Sequence, residues 1–230
     1  MKKTKRFIVV AVLIAAIAAV AAVVIAALKK DDDFSGNISY ADENVYLGQN
    51  ANFAVSVYAG KAEKNFLTDG RAVDVVKFCK VSLTLLNTAY SKAASFDYQI
   101  IAGDTTLSGV LNKDIMSSEY IGEIEVPDPS AIESAVIKYS NSKSDLVALD
   151  NVLAERLSFD DAYKAALNVF AKEIKENTKN GSFNREIYIK FVTGYSGEEP
   201  YYWYVAFIAS DSDYWAVLLD SKTGETEVKR

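Results

Sequence analysis

Histidine is absent from the 230 residues, cysteine occurs once, and proline only three times. Without histidine there can be no Ser-His-Asp triad, no Cys-His dyad, no His-ligated zinc and no His-held haem. A single cysteine excludes four-cysteine zinc sites and any internal disulfide. The scarcity of proline, with eleven glycines and half of all positions apolar, excludes collagen-like, Pro-rich and low-hydrophobicity disordered chains. What the chain does have is enough apolar residues for a sizeable core, 14 tyrosines, 11 phenylalanines, and an excess of acid: 31 Asp and Glu against 25 Lys and Arg. No metal site and no cofactor is indicated by any of these residues.

One long apolar run stands out. Residues Phe7 to Leu28 are uninterruptedly apolar, 22 positions, which as a helix would extend about 33 Å. The sequence therefore predicts a short cytoplasmic tail (1–6), a transmembrane helix (7–28) and a polar stalk (29–38). A cleavable secretory signal is the competing reading, but its apolar core is ordinarily shorter. Lys2, Lys3, Lys5 and Arg6 precede the run and only Lys29 and Lys30 follow it, so the positive-inside rule predicts a cytoplasmic N-terminus with the rest extracytoplasmic at the cell membrane. Beyond Lys30 lie 19 basic residues and all 31 acidic ones, a balance that argues against nucleic acid as a partner.

Residues 39–145 read as a β-rich, sandwich-like domain. Phe53, Val55 and Val57 alternate with smaller or polar neighbours, the period-two signature of a half-buried strand. Segments 76–86, 96–102, 106–111 and 120–126 follow in the same style, separated by Gly-Asp and Asn-Lys-Asp turns. Residues 131–139 fit either a last strand or a short helix. A boundary is expected near residues 145–154, because the period then changes to 3.6. Ser158 is placed as an N-cap with Asp161 three residues on, and Phe159, Ala162, Ala165, Ala166, Val169, Phe170 and Ile174 form one apolar stripe of a helix ending near Asn177 to Gly181. Strands over 187–192, 201–209 and 214–220 complete an α-β-β-β unit, so the fold class expected overall is α+β.

That last third resembles a PepSY domain, through the Ala-rich helix FDDAYKAALNVF after Ser158, the strand carrying Trp203 and Val205, and the ending YWAVLLDSKTGETEV, in which Asp220, Thr223, Gly224 and Glu225 match a D-x-x-T-G-E pattern. The resemblance covers residues 155–230. It implies a module of the kind carried by membrane-anchored bacterial envelope proteins, where such modules modulate peptidases or cell-wall enzymes by binding them.

Site residues follow from chemistry where chemistry is available. Tyr202 and Tyr204 alternate with Trp203 and Val205, so if the latter face the helix the tyrosines face outward and can bind a peptide or glycan; core packing or simple stabilisation of the sheet is the alternative role for them. Asp220, Thr223 and Gly224 are the further binding candidates; the structural alternative for them is a turn, where Gly224 supplies a residue without Cβ and the Asp caps backbone N–H groups. The order Ser140-x-x-Lys143, Ser182-x-Asn184, Lys222-Thr223-Gly224 matches that of serine acyl transferases, but here the first motif falls in a polar loop rather than opening a buried helix. The acidic clusters Asp31 to Asp33 and Asp211 to Asp213 lack calcium-loop spacing. Cys79, in an apolar strand, reads as a buried thiol. The function expected is thus non-enzymatic: a binding or regulatory protein for an envelope protein or cell-wall partner. The alternatives are a structural or adhesive surface protein and the Ser-Lys acyl transferase.

Overall fold

A computed structural model describes residues 34–64, 70–125, 128–140, 143–179, 182–194 and 199–230. The expected transmembrane helix over 7–28 lies outside the described residues. Among the described residues no helix is long and apolar enough to cross a membrane, because the two helices present, Phe159–Val169 and Ala171–Asn177, are short and most of the rest is strand. The expected placement as a single-pass membrane protein is corrected accordingly and is carried no further.

Among the described residues, fifteen strands organise the chain. The first nine are β1 (Ile38–Gln49), β2 (Phe53–Glu63), β3 (Val75–Leu85), β4 (Ser95–Ala102), β5 (Thr105–Lys113), β6 (Tyr120–Glu123), β7 (Ile132–Ser140), β8 (Lys143–Ala148) and β9 (Asp150–Asn151). Two helices follow, α1 (Phe159–Val169) and α2 (Ala171–Asn177), and then β10 (Thr178–Lys179), β11 (Ser182–Phe183), β12 (Glu186–Val192), β13 (Tyr202–Ser210), β14 (Asp213–Asp220) and β15 (Thr226–Lys229). All but the small β10–β11 pair belong to one 13-stranded mixed sheet, ordered β15-β14-β13-β12-β1-β2-β3-β6-β5-β4-β7-β8, with β9 paired to β1.

β1 holds this arrangement together. Its first residues run parallel to β12, Ile38 opposite Ile187 and Ala41 opposite Ile189. Further along, Tyr46 and Leu47 pair with Asn151 and Asp150 of β9, which continues β8 after one residue. The strands from β1 round to β8 therefore curl until their inner faces meet. Gly48 permits that closure: a Cβ there would sit 1.9 Å from the carbonyl oxygen of Ala148. Inside lie Phe53, Val57, Leu83, Phe96, Tyr98, Ile100, Leu111 and Ile137, all at most 1 % exposed. Phe53 meets Phe96 edge-on with 5.6 Å between centroids, and Phe96 meets Tyr120 likewise at 4.8 Å. Each such side chain contributes ~1.5–3 kcal/mol through burial.

The C-terminal strands carry the helices on the same side of the sheet. Ser158 caps α1 as expected: its Oγ accepts the Asp161 amide hydrogen and donates to Asp161 Oδ2 at 2.7 Å. The single helix expected to run to Asn177 breaks at Phe170 (φ −107°, ψ 20°). That residue leaves the helical path to pack between Phe207 and Trp215, at centroid distances of 5.4 and 5.9 Å. Trp203 is fully buried and donates from Nε1 to the carbonyl of Leu157 at 3.0 Å. Arg185 stacks over Trp215 at 3.9 Å while pairing with Asp213 at 2.9 Å.

The expected fold class, a sandwich-like domain followed by a separate α+β domain, is corrected on this point. The chain is mostly β, with one sheet passing through both halves. The physical reason is β1, which supplies hydrogen-bonding partners in both directions, so the C-terminal strands extend the edge left by the curled ones. Residues 145–154, expected to be a boundary, contain most of β8 and all of β9.

Candidate ligand groove

The face of the sheet turned away from the helices gathers polar and aromatic side chains where β1 leaves β12. Pairing of β1 with β2 slips between Asp42 and Asn44, leaving Glu43 as a bulge. Asp42 is consequently turned onto this outer face and enclosed, with 0 % exposure. Its Oδ1 accepts from the Tyr40 hydroxyl at 2.8 Å and its Oδ2 from the Phe191 amide at 2.9 Å, so the carboxylate substitutes for a backbone acceptor at the strand junction. Burial pushes its pKa up to about 6. The two hydrogen bonds and the nearby Lys190 and Lys80 oppose that rise without cancelling it.

Beside this junction a groove of about 490 Å3 opens between the end of β12 and the outer face of β1, β2 and β3. Lys190, Val192, Thr193 and Gly194 form one wall; Tyr58, Lys80, Ser82 and Thr84 form much of the other, with Glu119 at one side. The Tyr58 hydroxyl reaches across to Thr193 Oγ1 at 3.5 Å, and Ser82 Oγ donates to Glu119 at 2.8 Å. Tyr40 lines the groove and stacks on Tyr188 (4.4 Å) and on Phe78 (5.2 Å), extending an aromatic strip beside it. Burial pushes Tyr58 and Tyr188 up to about 12 and Tyr40 further still, with Asp42 adding to the last. At neutral pH these phenols are therefore protonated and serve as hydrogen-bond donors, not bases.

The residues nominated from sequence fall partly here. Tyr204 stands opposite Lys190 on the neighbouring strand and Tyr202 opposite Val192, both half-buried, so the tyrosine pair continues the outer face beyond the groove's β12 wall. Asp220 lies across from Tyr202 on β14. Its Oδ1 accepts the amide hydrogens of Lys222 and Thr223 at 2.9 and 2.8 Å, which hold its pKa below the usual carboxylate range. Gly224 has φ +74° and donates its N–H to the Asp220 carbonyl at 2.9 Å, and Thr223 Oγ1 accepts from the Glu225 amide. Asp220, Thr223 and Gly224 thus build the β14–β15 turn.

Other motifs are dispersed. Ser140 and Lys143 face each other across the β7–β8 hairpin and do not open a helix, while Lys222 lies in the turn after β14. Glu199 is an ion-pair partner of Arg156 and Lys222. Cys79 is buried at 3 % exposure, and burial pushes its thiol up to about 12. Among the described residues no three acidic or cysteine side chains gather around a metal-sized site. Sequence reading missed Asp42, Lys80 and Lys190 altogether: a strand containing Asp-Glu-Asn looks like a loop, and only the β1–β12 pairing brings the two lysines together. Comparison with known proteins adds no relative: no family model, curated protein or solved structure matches the chain.

Proposed function

We propose that this protein works by binding, without catalysis, and that the groove between β12 and the β1–β3 face is where it holds a protein or cell-wall partner. The observation that carries the reading is the groove itself: about 490 Å3, lined by hydroxyls, two lysines and Tyr40, with the aromatic strip of Tyr188 and Phe78 beside it, a volume within the range of ligand clefts. Its ionisable groups suit holding a guest. The phenols are protonated, the enclosed Asp42 is already satisfied by two donors, and Glu119 at the side accepts from Ser82. The resemblance of residues 155–230 to a PepSY domain favours a partner such as a peptidase or cell-wall enzyme, with binding as the means of modulation.

Site-specific photo-crosslinking tests this. A crosslinker at Thr84 or Val192, both on the groove walls, is expected to capture a partner in cells, whereas one at Glu176 on exposed α2 is not. Capture from Glu176 alone would overturn the assignment. A second reading, adhesion through the β-rich half, is favoured by Ile115 and Met116, which stand 95 % and 89 % exposed between β5 and β6. An Ile115→Ser, Met116→Ser double variant that loses attachment while groove variants keep it would select that reading.

A further inference from the structure

Two lysines line the groove, and neither takes part in an ion pair among the described residues. Lys80 points outward from β3 because its neighbours Cys79 and Val81 are taken into the core, and Lys190 points outward from β12 because Ile189 and Phe191 are taken under the helices. They reach the same groove from opposite walls. The ion pairs present involve Lys61, Arg156, Lys172, Arg185, Lys222 and Lys229. Among the described residues no carboxylate oxygen comes within 4.0 Å of Lys80 or Lys190. Glu123 stands across from Lys80 on β6 but makes no such pair, and Glu119 is engaged by Ser82. In a chain with more acid than base, two ammonium groups thus line one cavity with no carboxylate in direct contact, the enclosed Asp42 acting on both from beyond ion-pair distance.

We propose that the groove recognises a carboxylate side chain of an acidic peptide segment, seated between the ammonium groups of Lys80 and Lys190. This rests on the reading of the groove as the binding site and names the chemistry of its guest. The remaining lining fits a peptide. Leu47, Ala54 and Val192 offer apolar contact for the stem of a Glu or Asp, and the hydroxyls of Ser56, Thr84 and Thr193 offer hydrogen bonds to its backbone. Glu119 and the acidity of the surrounding body disfavour a densely charged polyanion such as nucleic acid, which must place many phosphates at once. A single carboxylate gains two charge-assisted hydrogen bonds and meets far less of that repulsion.

The test is titration of the full chain with N-acetyl-Glu-Glu-Glu-amide and, separately, with its Gln-Gln-Gln counterpart, followed by calorimetry or NMR. The acidic peptide is expected to bind at least about tenfold more tightly than the neutral one, with the difference shrinking in high salt. Lys190→Met and Lys80→Met should each abolish that preference; Lys190 is exposed, so its substitution leaves the fold intact, and circular dichroism checks both variants. Equal binding of the two peptides, no binding of either, or an unchanged preference in the Lys190→Met chain would overturn the proposal. Those results leave the broader reading standing if crosslinking from Thr84 and Val192 still captures a partner; loss of that capture as well brings down both.

Discussion

Replacing Asp42 by Asn should remove most of the pH dependence of this protein's stability between pH 5 and 8. Asp42 is fully enclosed, and its pKa rises from 3.8 in the unfolded chain to about 6 in the folded one. A carboxyl group whose pKa is raised on folding prefers its proton in the native state. Its stabilising contribution is therefore complete below the unfolded pKa and is lost as the pH climbs through the folded one. A separation of roughly two units corresponds to about 3 kcal/mol lost by pH 8 relative to strong acid, of which about 1.4 kcal/mol falls between pH 5 and 8. No histidine is present to titrate in that window. Asn is isosteric, can still accept from the Phe191 amide, and can donate to a Tyr40 hydroxyl turned to accept. Urea unfolding at pH 5, 6.5 and 8 should show wild-type stability falling across the range and the Asp42→Asn chain nearly level. Comparing slopes avoids any constant difference in hydrogen-bond strength. A wild-type profile that is flat or rises, or a variant with the same slope, would refute the idea that this junction holds a carboxylate at a cost.

Other consequences follow from particular contacts. Gly48→Ala forces a Cβ toward the Ala148 carbonyl where β1 meets β8; it should lower the unfolding free energy by about 2 kcal/mol or more, read by thermal or urea melts. Ser158→Ala removes the α1 cap and should cost about 1 kcal/mol by the same measurement. Cys79 should resist thiol reagents at pH 8 in the folded chain and react promptly in guanidinium, since burial both hides it and keeps it protonated. Asp220→Ala should cost stability through the lost turn bonds while leaving acidic-peptide affinity unchanged, because that residue serves the hairpin.

The parts legible in the sequence were those with one clean period. Phe53, Val55 and Val57 announced β2, and Ser158 with Asp161 announced the start of α1, because local spacing alone decides such features. β1 was not legible. Its middle, Asp42-Glu43-Asn44, is as polar as any loop, and the bulge at Glu43 throws Tyr40 and Asp42 out of phase with Val45 and Leu47. β15 is exposed at all four positions and so carries no alternation. The expected break into two domains followed from missing β1, since that strand's parallel pairing with β12 joins the two halves. The groove was hidden for the same reason. Lys80 and Lys190 are more than a hundred residues apart and look like ordinary surface charges until the sheet brings them together. Tyr202 and Tyr204 could be found because their alternation with Trp203 and Val205 is local, and they mark the outer face if not its deepest part. Deleting residues 155–230 is consequently a poor functional test, for it strips β12 from β1 and damages the sheet along with the site.

Where a partner touches the chain decides between the groove and the helices. Amide hydrogen exchange of the full chain, with and without the partner captured from Thr84 or Val192, should show new protection over 188–194 and along the facing segments 54–58 and 80–84. Protection over 159–177 with none at those segments would place the binding surface on the helices and contradict the assignment of the groove.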